Sequence, residues 1–204
     1  MRPTAARSLA NRLASEQPEE ALNVARQIEA SWFRCQALSH VARYWPDENY
    51  DSILKEAVAA ADGQDQVYNR VAVSAWPIRA YLERGNARPA KSLLIRGINA
   101  VQSIENMGSR SEALFSIFQA AKPFDIGLWH PVLVALIEAS EPALSWRQLR
   151  NLKNAVAMAA ASNPEIARQS LEKLADPKNL STVQRYLDEG ITAEPRPYFW
   201  VDGH

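Results

Sequence analysis

PEEALNVARQIEASWFRCQALSHVARYW, residues 18–45, decides the fold. It reads as two short amphipathic helices joined by a tight acidic turn. With Arg34 as a reference mark, Leu22, Ala25 and Ile28 precede it, and Ala37, Leu38, Val41 and Ala42 follow it. At about 100° per residue, each set lies on one helical face. The pattern returns 36 residues on around Arg70, with Val58, Ala61 and Gln64 before the mark and Val73, Ser74, Pro77 and Ile78 after it. It returns again around Arg110, with Ile98, Val101 and Ile104, then Ala113, Leu114, Ile117 and Phe118. A fourth copy aligns on Gln148, flanked by Leu136 and Ala139 and by Leu152, Ala155 and Val156. A fifth and weaker one centres on Val183, with Leu171 and Leu174 before it and Tyr186 and Leu187 after. A repeat of this length that fades at its end is the mark of stacked helical hairpins, whose terminal units are atypical because they cap the stack.

In the first three copies an acid stands five places before the arginine: Glu29 with Arg34, Asp65 with Arg70, Glu105 with Arg110. The gap spans the turn between the two helices, so the carboxylate is expected to cap the second helix or to pair with the guanidinium. Either way these six residues read as a structural ladder. A partly buried pair of this kind fixes geometry more than it adds net stability.

The chain has 204 residues, 47% of them apolar, enough for one sizeable domain or a short solenoid. Lys plus Arg and Asp plus Glu are both 23, and zero formal charge weighs against a dedicated nucleic-acid binder, which carries a basic excess. The single cysteine, Cys35, excludes an intrachain disulfide and suits a reducing compartment, so a cytoplasmic location is expected. The longest clear apolar run, Val132 to Ile137, is far short of a membrane span. The N-terminal MRPTAARSLANRLASEQ has the arginine-rich, acid-poor composition of a transit peptide. Its stripe of Ala6, Leu9, Ala10 and Leu13 favours instead a helix that caps the first repeat.

Prolines and glycines punctuate the chain in register with the copies. Pro18 opens a helix followed by Glu19 and Glu20, where the helix dipole favours carboxylates. Trp45-Pro46-Asp47 closes the first hairpin, Ala61-Asp62-Gly63 ends the next helix, and Gly85-Asn86 supplies a stop and a new start. Pro123, Pro131, Pro142, Pro164 and Pro177 are expected at further boundaries, with His130 as the cap before Pro131. Pro77 is the exception. It falls inside a helix over roughly Gln66 to Arg84, where it removes a backbone bond and is expected to kink the helix near Val73, opening a notch beside Trp76 and Tyr81. Beyond Gly190 the helical period stops. Tyr198, Phe199 and Trp200 are too apolar for a free tail, and folding back onto the last repeat is favoured over docking on a partner.

No GxSxG, HExxH, Walker, GxGxxG or CxxC motif is present. His40, His130 and His204 lack a second ligand at metal-binding spacing, so no metal or other cofactor is expected. Cys35 and His40 are about 140° apart on a helix, too far for a thiolate pair, and Cys35 reads as a small semi-buried residue. His40 is expected on a helix flank. Glu138 and Glu141 share a spacing of three at a helix end, the ordinary place for solvated carboxylates. One charge cluster stands out: Arg79, Arg84, Arg88, Lys91 and Arg96, opposed only by Glu83. It reads either as a solvated rim or, beside the notch, as an anionic docking site.

Arg34-x-x-Ala37-Leu38-x-x-Val41-Ala42 and its echo Arg110-x-x-Ala113-Leu114-x-x-Ile117-Phe118 resemble the HEAT-like and tetratricopeptide-like tandem helical repeats common in bacterial proteins. The resemblance covers roughly residues 18 to 188, although the tetratricopeptide WxxLGxxY pattern is missing. It implies a right-handed α-solenoid of about five antiparallel hairpins plus an N-terminal capping helix, one domain over 1–190, with a non-helical aromatic tail over 191–204. It implies a non-enzymatic scaffold that binds a protein or peptide on its concave face, and transfers no catalytic residue. The candidate binding residues are Trp76, Arg79, Tyr81, Arg84, Arg88, Lys91, Arg96, Tyr198, Phe199 and Trp200. Two other readings are a nucleic-acid-acting HEAT-like protein of the alkylpurine glycosylase type and an accessory subunit of an enzyme complex.

Overall fold

Short helices whose buried stripes cover only part of their circumference must pair, and the chain pairs them one after another. The computed structural model describes residues 1–47, 49–140, 145–174, 176–190 and 199. Among these, every regular element is helical. A first helix, α1 (Pro3–Leu13), is followed by hairpins α2 (Pro18–Arg26) with α3 (Ser31–Tyr44), and α4 (Tyr50–Asp62) with α5 (Val67–Glu83). Then come α6 (Ala87–Ala100), extended by a 3-10 turn over Val101–Ser103, α7 (Met107–Ala121), α8 (Ile126–Glu138), α9 (Trp146–Ala160), α10 (Pro164–Leu171) and α11 (Pro177–Asp188). The chain divides within α6 into two compact units, one holding Met1–Leu93 with Phe199 and the other beginning at Leu94.

In the first unit α3 packs against α1 and α5 on its sides and against α2 and α4 beneath, giving two layers, α1-α3-α5 and α2-α4. In the second, α9 packs against α7 and α11, with α8 and α10 as the other layer. Each junction buries branched residues: Leu38, Ile53 and Leu54 in the first unit, Leu114, Ile117, Phe118, Leu136 and Leu152 in the second. Each such side chain contributes roughly 1.5–3 kcal/mol before ordering entropy is set against it. The α4 stripe is shifted from its sequence reading. Ile53, Leu54, Ala57 and Ala61 are buried and Val58 sits at the margin, because α4 is pressed between α3 and α5.

Helix ends follow local chemistry. Pro3, Pro18, Pro164 and Pro177 each open a helix, where a missing N–H costs nothing. Asn106, Asp125, Asn163 and Asp176 cap through their side chains, and Ser145 with Gln148 forms a capping box. Gly85, at φ 75°, ends α5 with Asn86 N–H donating to the Tyr81 carbonyl and Gly85 N–H to that of Leu82, a Schellman closure. Pro131 departs from expectation. It lies inside α8, whose cap is Asp125, so His130 is a mid-helix residue and not a cap.

The repeated arginines occupy the fourth position of α3, α5 and α7, and each reaches back six residues across the turn. Arg34 Nη1 donates to the Ile28 carbonyl (3.3 Å) and Arg70 Nη1 to that of Gln64 (2.8 Å). Arg110 donates through Nε (3.1 Å) and Nη2 (2.7 Å) to the carbonyl of Ile104. The expected pairing with Glu29, Asp65 and Glu105 is replaced by these bonds, and none of the three acids caps the following helix. The reason is geometric: carbonyls just past a helix end point along its axis without intrahelical partners, directly into the reach of the guanidinium. In the fourth hairpin Gln148 Nε2 donates to Ala139 at the end of α8 (3.4 Å), so an amide takes the same place. Arg110→Met is therefore expected to lower unfolding stability by about 1–2 kcal/mol, and Glu105→Gln to change it by under about 0.5 kcal/mol, in urea titrations. Equal losses would restore the ion-pair account.

Candidate functional site

Gln36, His40 and Arg43 fall within about 60° of arc on α3, and Trp76, Arg79 and Glu83 do the same on the adjacent α5. They lie on the side of these helices turned away from the Leu38 and Ile78 core. One charged chain links the two helices. Glu83 accepts from Arg43 Nε on one oxygen and from Arg79 Nε on the other (2.6 Å). The three side chains are 14–22% exposed, so the arrangement is rigid and only partly wetted. Arg7 of α1 extends it, donating to Gln36 Oε1 at 2.9 Å and lying over the Phe33 ring. At the margin, Tyr44 is 41% exposed and its ring lies 5.3 Å from that of His40.

Phe199 is seated on this face. Its ring meets Trp76 edge to face at 5.3 Å, and the Arg79 guanidinium lies 5.7 Å from its centroid. An edge-to-face pair and a cation over an aromatic ring contribute on the order of 1 kcal/mol each. Tyr198 and Trp200, also singled out by sequence, lie outside the described residues.

The remaining candidates are distributed differently from the sequence reading. Tyr81 is buried and donates its hydroxyl to Asp51 Oδ1 on α4 (3.3 Å), so it does not share a notch with Trp76. Burial first, and the Asp51 charge second, push its phenol well above the usual range. Arg84 is a structural clamp. Its guanidinium donates to the carbonyls of Arg43, Trp45 and Asp47 in the turn that closes the first hairpin, and stacks 4.3 Å over Tyr50. Arg88, Lys91 and Arg96 are exposed on α6. Arg79 and Arg84 of the basic cluster are thus engaged within the first unit. His40 is buried rather than on an open flank. Glu138 is exposed at the end of α8, and its proposed companion Glu141 lies outside the described residues.

Pro77 does not break α5, which runs continuously from Val67 to Glu83. The carbonyl that proline leaves without a helical donor, four residues back, belongs to Val73, and Cys35 Sγ on α3 lies 3.6 Å from it. The one cysteine thus supplies a weak donor where the helix lacks one, a role that sequence spacing did not disclose. Cys35 is fully buried and its thiol is pushed well above the usual range, chiefly by burial. A buried neutral thiol is a poor nucleophile. The unfolded thiol ionises first, so this contribution to stability is complete below the unfolded pKa and is lost as pH rises through it.

Among the described residues, no trio of His, Cys, Asp or Glu is placed to hold a metal, and no helix is long and apolar enough to cross a membrane. A shallow cleft of about 410 Å3 on the other layer, lined by Glu19, Asn23, Arg26, Asn49 and Ser52, brings no catalytic pair together. The fold and this face define an all-α protein of neighbouring helices that carries a largely buried polar and aromatic cluster on α3 and α5. Comparison with protein-family models, with curated proteins and with solved structures finds no match for this chain.

Cys35→Ala is expected to cost about 1–2 kcal/mol in the native sequence, partly for the cavity and partly for the stranded Val73 carbonyl. In a Pro77→Ala background the helix can supply its own donor. The double-mutant cycle should then show about 0.5–1 kcal/mol of coupling. Strict additivity would mean that the thiol contact carries no energy.

Proposed function

We propose that the chain is a non-enzymatic protein- or peptide-binding repeat scaffold of HEAT-like or tetratricopeptide-like kind, its hairpins stacking as a right-handed α-solenoid. The observation that carries this reading is the layer α1-α3-α5. There the side chains turned from the core are not the short polar residues of a merely solvated face but Arg7, Arg43, Trp76 and Arg79, held in fixed positions around Glu83. Aromatic residues and arginines are the types that dominate binding energy at protein interfaces. Preorganisation by Glu83 lowers the entropy a partner must overcome. A buried free thiol suits a reducing cytoplasm, where such a scaffold would work.

The reading is tested by placing a photo-crosslinking residue at Tyr44, beside this face, and separately at Lys55 on α4, whose side chain is 73% exposed. Position 44 is expected to capture one discrete protein, identified by mass spectrometry and lost on Arg79→Gln, while position 55 captures none. Capture from 55 and not from 44 would contradict this face as the working surface.

A further inference from the structure

We propose that Trp76 and Arg79 form a receptor for an aromatic side chain carried on a peptide, and that Phe199 occupies it in cis, so that a partner must displace the chain's own tail. This rests on the scaffold reading above and names what the scaffold recognises. The receptor is built before its occupant arrives. Arg79 is 22% exposed and is aimed by its bond to Glu83, which Arg43 holds from α3. Trp76, nearly buried at 9% exposure, offers its ring to the occupant. A cation at 5.7 Å and an aromatic ring at 5.3 Å together select a flat, electron-rich side chain over an aliphatic one of equal size, because only a π-face rewards the guanidinium.

The occupant has the composition of a detachable ligand. Phe199 lies in PRPYFWVDGH, residues 195–204, in which two prolines restrict the backbone ahead of three consecutive aromatics. The ring and cation contacts to Phe199 are each worth on the order of 1 kcal/mol, and tethering gives the occupant a high effective concentration. An occupant present nine-tenths of the time lowers the apparent affinity of any competitor about tenfold.

The test uses the full chain with Phe199→Ala, and a fluorescein-labelled peptide PRPYFWVDGH as probe, followed by fluorescence anisotropy. The variant is expected to bind the peptide at least about tenfold more tightly than the native chain. Binding should be lost when the peptide's own phenylalanine is alanine, or when Arg79→Gln is added to the variant. Circular dichroism and thermal unfolding confirm that each variant is folded. Equal affinity of native chain and variant, or no binding by the folded variant, would overturn the proposal. So would a concentration-dependent dimer of the native chain that Phe199→Ala abolishes, since Phe199 would then act between two copies. If the peptide fails while the crosslink from position 44 persists, the aromatic receptor falls and the scaffold reading stands. If both fail, the scaffold reading falls with it.

Discussion

Carbonyl groups at the end of a helix have no partner within it, and a chain made of short helices must solve that problem at every turn. Here the solution is carried by the helix that follows. Arg34, Arg70 and Arg110 each fold back on the carbonyl six residues before them, and Gln148 reaches the Ala139 carbonyl, nine residues before it, at the end of α8. This bond fixes where the second helix starts relative to the end of the first, and therefore which faces meet. A guanidinium suits the task because its planar fork can serve two acceptors at once, as Arg110 does with Gln102 and Ile104. In the last hairpin the corresponding position is the buried, apolar Val183, and no such donor is available there.

Once the turns are fixed, neighbouring hairpins are joined by side chains that reach either backbone or one another. Arg84 clamps the three carbonyls around Trp45, and Arg26 makes a two-pronged bond with Glu56 between α2 and α4. In the second unit Asn151 ties α9 to Ser111 and Glu112 on α7, while Lys122 reaches from the end of α7 to Ser162. Desolvation lowers the Lys122 pKa, and its ammonium bonds Ser162 and lies over the Trp129 ring. With these ties in place, Glu83 can be shared between two arginines without closing either hairpin.

The hairpins were legible in the sequence because their information is local. Apolar spacing, the prolines that open helices and Gly85 at a left-handed stop all act within a few residues of themselves. The arginine marks were legible as structural, but their partners were not, since a carboxylate is visible in a sequence while a backbone carbonyl belongs to every residue. Within the basic run from Arg79 to Arg96, the role of Arg84 was hidden for the same reason: it faces backbone acceptors 37 to 41 residues away, which linear spacing cannot reveal. Contact of Cys35 with Val73 depends on the axial register between α3 and α5, and His130 was misplaced because Pro131 was read as a helix start. Phe199 was expected against the last repeat and lies instead against Trp76 of α5, a long-range contact that linear position cannot disclose. That Arg79 completes its site follows from the helical offset of three between the two residues.

The account stands on arginine side chains that bind backbone and not carboxylate, and nuclear magnetic resonance can see that bond itself. In uniformly labelled protein, the scalar coupling across the hydrogen bond from Arg110 Nε to the carbonyl carbon of Ile104 reports it directly, at a donor–acceptor distance of 3.1 Å. A resolved cross-peak between those two nuclei is the predicted result. No coupling to Ile104, with the Arg110 Nε–H instead held by the Glu105 carboxylate, would contradict the account.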